Sequence, residues 1–179
     1  MIQPKQITLI RHTSVDVASG VCYGQSDVDV SATFVTEAQR VLLDLQEHTF
    51  DAVYCSPLSR CRKLASFCGF AEPIIDDRLL ELNFGDWELK VWENISDPQL
   101  ERWFSDWINE IPTNGESFSE QLVRVNSFII DLKNTEFQNI VIFTHAGIIR
   151  SFGVILEQLP IHEAFNYKVD YGQIIKLIL

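Results

Sequence analysis

The sequence predicts an α/β protein built on a mostly parallel central sheet with helices on both faces. Two observations carry that expectation. Short, β-branched apolar runs recur at QITLI (6–10), FDAVY (50–54), NIVIF (139–143) and QIIKLIL (173–179), and longer stretches of helical periodicity separate them. Strands buried on both faces read as continuous apolar runs, a pattern that belongs to parallel sheets covered by helices.

In chain order, QITLI opens the sheet and runs into Arg11-His12, and the stretch 32–48 (ATFVTEAQRVLLDLQEH) carries the first helix. After FDAVY, Ser56-Pro57 offers an N-cap and a favoured first position for a helix over 57–68. A helix is expected over 97–108. Another is expected over 118–133, where Ser117 and Glu120 have capping-box spacing ahead of Leu122, Val125 and Ile129. NIVIF leads into a helix over 147–157. QIIKLIL is expected as a strand within the sheet, an exposed edge able to pair between subunits being the alternative; nothing else in the sequence bears on oligomeric state.

At 179 residues, 46% apolar and 22% charged, the chain suits one domain over 1–179 that buries about 70% of its unfolded surface. No repeat or Gly/Ser linker marks a second domain. The formal net charge of -11 argues against a nucleic-acid partner, because such binding draws its affinity from Lys and Arg on phosphates. It leaves room for a small phosphorylated ligand, since a few arginines in one cleft set a local potential of their own. MIQPKQITLI lacks a basic segment followed by an apolar core, and no apolar run approaches the roughly 20 residues of a membrane span, so a cytoplasmic protein with no membrane partner is expected. Cys22, Cys55, Cys61 and Cys68 have neither CxxC spacing nor a neighbouring His pattern, and read as reduced, mostly buried residues; no metal and no cofactor is expected.

The polar residues fall at informative places. Arg11-His12, Ser56-Pro57-Leu58-Ser59-Arg60-Cys61-Arg62 and Thr144-His145-Ala146-Gly147 each lie just past the C-terminal end of an expected strand. In a parallel sheet those ends share one edge, where open α/β sheets bind ligands. The cluster brings two histidines together with two or three arginines, and a planar guanidinium suits phosphate oxygens, as do helix N-termini behind such loops.

"LIRHTSVD", "CSPLSRCRKLA", "LLELNFGDWE" and "IVIFTHAGIIR" resemble, in order and spacing, the motifs of the histidine phosphatase (phosphoglycerate mutase-like) superfamily, and together cover residues 7 to about 156. The resemblance implies that His12 is a nucleophile forming a phosphohistidine, that Arg11 and a helix arginine hold the phosphoryl oxygens, and that His145 helps enclose them. It further implies that Glu81 protonates the leaving alcohol and then helps activate water. Alignment by motif puts the helix arginine four residues after the serine, at Arg60; Arg62 lies about 200° further round the helix and is expected at the surface. The chemistry agrees: a neutral imidazole attacking phosphorus splits one displacement into two, with cationic donors stabilising the transition state. A carboxylic acid acting as donor must keep its proton near neutral pH, which partial burial beside Phe84 and Trp87 would favour.

The expected substrate-binding set is Arg11, Arg60, Thr13, Tyr23, Gly24, His145 and Ala146. Thr13 and Ala146 stand where the family commonly has glycine; Thr13 either donates its hydroxyl to phosphate or caps the turn. No Asn near Thr13-Ser14-Val15-Asp16 matches the family's Asn phosphate contact. His48 and His162 have no motif around them and read as surface or capping residues. Trp87, Trp92, Trp103 and Trp107 read as core or cleft wall, and 86–118 as a cleft-covering insertion that chooses the leaving group.

The chain lacks the longer basic loops expected of a phosphoglycerate mutase, which favours a phosphatase. YGQSDVDV, LLELNFGDWE and TNGESFSEQLVRV resemble the alpha-ribazole phosphatase family. That implies removal of the 5'-phosphate from alpha-ribazole phosphate, or from adenosylcobalamin phosphate, in assembly of the cobalamin nucleotide loop. The rivals are a broad-specificity sugar-phosphate phosphatase and a phospholigand-binding module without catalysis. Joint presence of Arg11, His12, Arg60, Glu81 and His145 speaks against the second.

Overall fold

The computed structural model describes residues 4–179; the first three residues of the single domain expected over 1–179 lie outside the described residues. Five strands, β1 (Gln6–Arg11), β2 (Ala52–Cys55), β3 (Ile74–Ile75), β4 (Asn139–Thr144) and β5 (Ile174–Ile178), form one sheet in the order β3-β2-β4-β1-β5. All neighbours pair in parallel except β5, which runs antiparallel to β1. The α/β, mostly parallel architecture stands as expected. β5 takes the sheet edge rather than an interior place, and β3, a two-residue strand with both side chains exposed, is an addition.

Period-two alternation along β4 divides the core. Ile140 and Ile142 face α4 (Phe118–Lys133) and α5 (Ala146–Leu156), meeting Val125, Phe128, Ile129, Ile149 and Phe152. Val141 and Phe143 face α1 (Phe34–Leu45) and α2 (Ser59–Phe67), meeting Ala38, Val41, Leu64 and Ala65. A strand covered on both sides must be apolar throughout, which is why NIVIF reads as a continuous run.

Helix starts follow local chemistry, with one exception. At α4, Ser117 Oγ accepts from Glu120 N and the Glu120 carboxylate accepts from Ser117 N (2.8 Å), the capping box read from the sequence. Ser56 does not cap α2. That helix begins at Ser59, after Leu58, which is extended at ψ 138°; the Ser56 hydroxyl lies 2.8 Å from His145 Nε2 and accepts from Leu58 N at 3.4 Å, and the Ser59 N–H is met by Asp27 Oδ1 (2.8 Å). The helix expected over 97–108 is shorter, α3 (Gln99–Ser105), since Asp106 leaves helical geometry at φ -148°.

The stretch after Glu81 forms a satellite cluster in which Trp87 and Trp103 are buried with Cys22 and Ile95, and Trp92 stacks on Trp103 at 5.7 Å. No helix among the described residues is long and apolar enough to cross a membrane.

Phe143 is fully buried between the sheet and α2. Phe143→Ala is expected to cost about 3–5 kcal/mol, read as a lower urea midpoint with an unchanged slope.

Candidate active site

Parallel register assembles the site. β1 and β4 end level, with Arg11 opposite Thr144, so the next residue of each strand is a histidine; His12 N donates to Thr144 O at 3.0 Å, and the two rings lie 5.2 Å apart. β2 ends against the same strand, where Ser56 N donates to Phe143 O, and α2 then carries Arg60 inward. The shared edge inferred from three loop positions is therefore present, with Arg60 fully buried and Arg62 exposed, as expected.

The two arginines are held without carboxylates. Arg60 donates through both η nitrogens to backbone carbonyls, of Gly24 (2.7 Å) and Ser26 (2.9 Å). Arg11 donates to Val169 O (2.6 Å) and its guanidinium lies 3.8 Å over the Tyr171 ring. Neither takes part in an ion pair among the described residues. Three buried groups on this wall have no protein partner: Arg11 Nε, Arg60 Nε and Thr13 Oγ1. Leaving a buried donor unmet costs about 1–3 kcal/mol each, so these groups stand out beside the two histidines. Thr13 is fully buried beside His12, and its hydroxyl caps no turn among the described residues.

His12 Nδ1 lies 2.7 Å from Thr13 O, an acceptor only, so Nδ1 carries the proton and the lone pair of the neutral ring is on Nε2. Burial first, then the charges of Arg60 and Arg11, push the His12 pKa well below its ordinary value. His145 is lowered in the same direction by burial and then by Arg60, His12 and Arg11.

Glu81 is half-buried. Its oxygens accept from Leu82 N (2.9 Å) and Gly147 N (3.1 and 3.2 Å), so the carboxyl group sits on the first turn of α5. Gly147 is required for that approach, since a Cβ there would overlap Glu81 Oε1. Arg124 and Gln25 hold the Glu81 carbonyl. Of the two aromatics expected beside Glu81, Phe84 lines the same cleft; Trp87 turns away, its indole N–H given to Asp97 Oδ2 at 2.7 Å.

The cleft, about 190 Å³, is lined by Arg11, Tyr23, Gly24, Glu81 and Ala146, together with Val21, Phe84, Trp92 and Arg150. Tyr23, Gly24 and Ala146 line this cleft, whereas His12, Thr13, Arg60 and His145 are buried and not among its lining residues; Gly24 also supplies the carbonyl that holds Arg60. His48 and His162 are exposed and remote. All four cysteines are buried and unpaired, and burial pushes Cys55 up to about 12 and Cys68 to about 11, so they stay thiols at neutral pH. No group of His, Cys, Asp and Glu suited to a metal ion is found among the described residues.

Sequence reasoning missed four contributors. Tyr171, under Arg11 and 3.0 Å from the Tyr23 hydroxyl, lies in no recognised pattern, whereas Arg150 closes the quoted run IVIFTHAGIIR and has no role assigned there. Gly147 and Glu88 do lie in quoted motifs, and a glycine after His-Ala is the signal available for the first. The Glu88 carboxylate accepts from the N–H groups of Gln25 (2.9 Å), Ser26 and Phe84 (3.0 Å), fixing the loop whose carbonyls hold Arg60.

The family model for "Histidine phosphatase superfamily (branch 1)" matches residues 7–179. The chain belongs to the histidine phosphatase superfamily. It is 30% identical to the Adenosylcobalamin/alpha-ribazole phosphatase of Escherichia coli K12, over 93% of this chain and 86% of that one. A solved Escherichia coli K-12 structure superposes with a TM-score of 0.90 at 28% identity, covering 98% of this chain and 91% of that one. The Alpha-ribazole Phosphatase from Shigella flexneri superposes with a TM-score of 0.87 at 29% identity, covering 96% and 89%. This histidine phosphatase superfamily member is an enzyme of the phosphatase type, and its fold is that of its phosphoglycerate mutase-like relatives.

Both histidines hold pKa values below about 6.5, the ordinary value, so between that depressed range and 6.5 the unfolded chain binds protons that the folded one does not. Stability is therefore expected to fall as pH drops from 6.5 toward 5. Asp51 and Asp97, whose pKa values are lowered, lose their contribution only below about 4. NMR should show the His12 and His145 rings neutral at pH 6.5; a half-protonated His12 there contradicts the account.

Proposed function

We propose that this phosphatase cleaves phosphomonoesters in two displacements at His12. Nε2 attacks phosphorus, a P–N bond forms, and the P–O bond to the alcohol breaks as Glu81 gives the leaving oxygen its proton. Water, its proton taken by Glu81, then attacks the phosphohistidine and releases inorganic phosphate. Arg11, Arg60 and Thr13 meet the phosphoryl oxygens, and His145 closes the same pocket. The Nδ1 bond to Thr13 O keeps His12 in the reactive tautomer. The observation that carries this reading is a fully buried Arg60 whose η nitrogens are met by backbone carbonyls with no carboxylate partner, next to a neutral imidazole.

The substrate we infer is alpha-ribazole 5'-phosphate or adenosylcobalamin 5'-phosphate, in cobalamin nucleotide-loop assembly. The 30% identity to an Adenosylcobalamin/alpha-ribazole phosphatase supports it, as does a cleft walled by Tyr23, Phe84 and Trp92, where an aromatic base can stack. In this reading 86–118 is the cleft-covering part of a single domain in the cytoplasm.

Phosphate release should show a high kcat/KM for alpha-ribazole 5'-phosphate against sugar and nucleoside monophosphates, persist with a chelator, and drop by at least about 10³-fold in His12→Ala. Comparable rates across the panel would replace the named substrate by a broad sugar-phosphate class. Wild-type turnover by His12→Ala would reject the covalent route.

Glu88→Gln places an amide N–H against backbone donors and loosens the carbonyls that hold Arg60. The expected result is inhibition by inorganic phosphate weakened about tenfold, with Glu88→Asp recovering part of it; an unaltered inhibition constant would remove Glu88 from this role.

A further inference from the structure

The cleft is lined by a second guanidinium besides Arg11, one that the two displacements do not use. Arg150 lies on α5 one turn beyond Ala146, and both line the cleft. Its Nε donates to Tyr167 O (3.1 Å) and its guanidinium lies 5.4 Å over the Phe165 ring, which fixes the plane of the fork. Its η nitrogens have no hydrogen-bond partner and it takes part in no ion pair among the described residues. Burial lowers its pKa; the Glu81 charge acts against that and the Arg11 charge with it, which places Arg150 near both.

A half-buried cation with two unengaged donors, anchored at its third, is arranged to meet an oxygen. Arg11 and Arg60 already face the phosphoryl group. Arg150 lies over Phe165, which packs in the same satellite cluster as Phe84 and Trp92, and it lines the cleft with those two, Arg11 and Glu81, the group read as giving the leaving oxygen its proton.

We propose that Arg150 reads the leaving group, donating to an oxygen acceptor on the departing alcohol, either a ribose hydroxyl or a carboxylate, and does not hold the transferred phosphoryl group. This rests on the reading of Glu81 as the group facing the leaving oxygen.

The test compares wild type, Arg150→Gln and Arg150→Lys on four substrates: alpha-ribazole 5'-phosphate, ribose 5-phosphate, 3-phosphoglycerate and phenyl phosphate, the last carrying no oxygen beyond the ester. Inhibition by inorganic phosphate is measured alongside. For Arg150→Gln the loss in kcat/KM is expected to be about 10- to 100-fold greater for the ribose-bearing or the carboxylate-bearing substrates than for phenyl phosphate, with phosphate inhibition within about threefold of wild type. The arm that loses more identifies the oxygen as hydroxyl or carboxylate. Arg150→Lys, which keeps the charge but not the fork, should lose less, and it carries the same comparison if Arg150→Gln does not fold. An equal loss on phenyl phosphate together with weakened phosphate inhibition would assign Arg150 to the phosphoryl group and overturn the proposal. No loss on any substrate would overturn it too. Failure of the His12 reading is seen separately, in the turnover of His12→Ala, and leaves the ratio across leaving groups interpretable.

Discussion

Everything in the site depends on positive charge buried without a carboxylate to neutralise it. Taking a guanidinium out of water costs on the order of several kcal/mol, and proteins ordinarily offset this with an acid. Here Arg60 is satisfied at its η nitrogens by two backbone carbonyls, and Arg11 by one carbonyl and the face of Tyr171. Carbonyl dipoles stabilise the cations while leaving their net charge available to an anion. The same charge acts on the histidines, because burial and the two arginines together hold His12 and His145 neutral. One arrangement thus supplies the positive charge that the proposed phosphate site needs and keeps the imidazole beside it unprotonated.

The fold holds that arrangement in place through local constraints. Level strand ends on β1 and β4 put the histidines side by side. Glu88 braces the loop that presents the Gly24 and Ser26 carbonyls, and a Cβ at Gly24 would overlap both Glu88 and the Leu82 carbonyl. Gly147 lets Glu81 reach the N-terminal turn of α5. Two glycines and one glutamate outside the reacting set therefore determine how close the reacting groups come.

Much of this was legible in the sequence because it is encoded locally. NIVIF and QITLI are continuous apolar runs since their strands are covered on both faces, and Ser117 with Glu120 announces α4 three residues apart. Arg11, His12, Arg60 and His145 share an edge because each follows a parallel strand. What escaped is set by contacts distant in sequence. Ser56 pairs with His145, 89 residues away, and Arg11 is satisfied by Val169, 158 residues away. β3 has two residues, too few to show a period. Trp87 and Phe84 are near neighbours in the chain, yet one enters the satellite core and the other the cleft, a division made by the short turn at Gly85–Trp87.

The most direct test of the central claim is to trap the phosphorylated protein. Enzyme mixed with a ³²P-labelled monoester substrate and quenched in alkali within milliseconds should carry label that is stable to base and labile to acid, mapped to His12 and absent from His12→Ala. Label on another side chain, or turnover of wild type with no labelled protein at any quench time, would contradict the account.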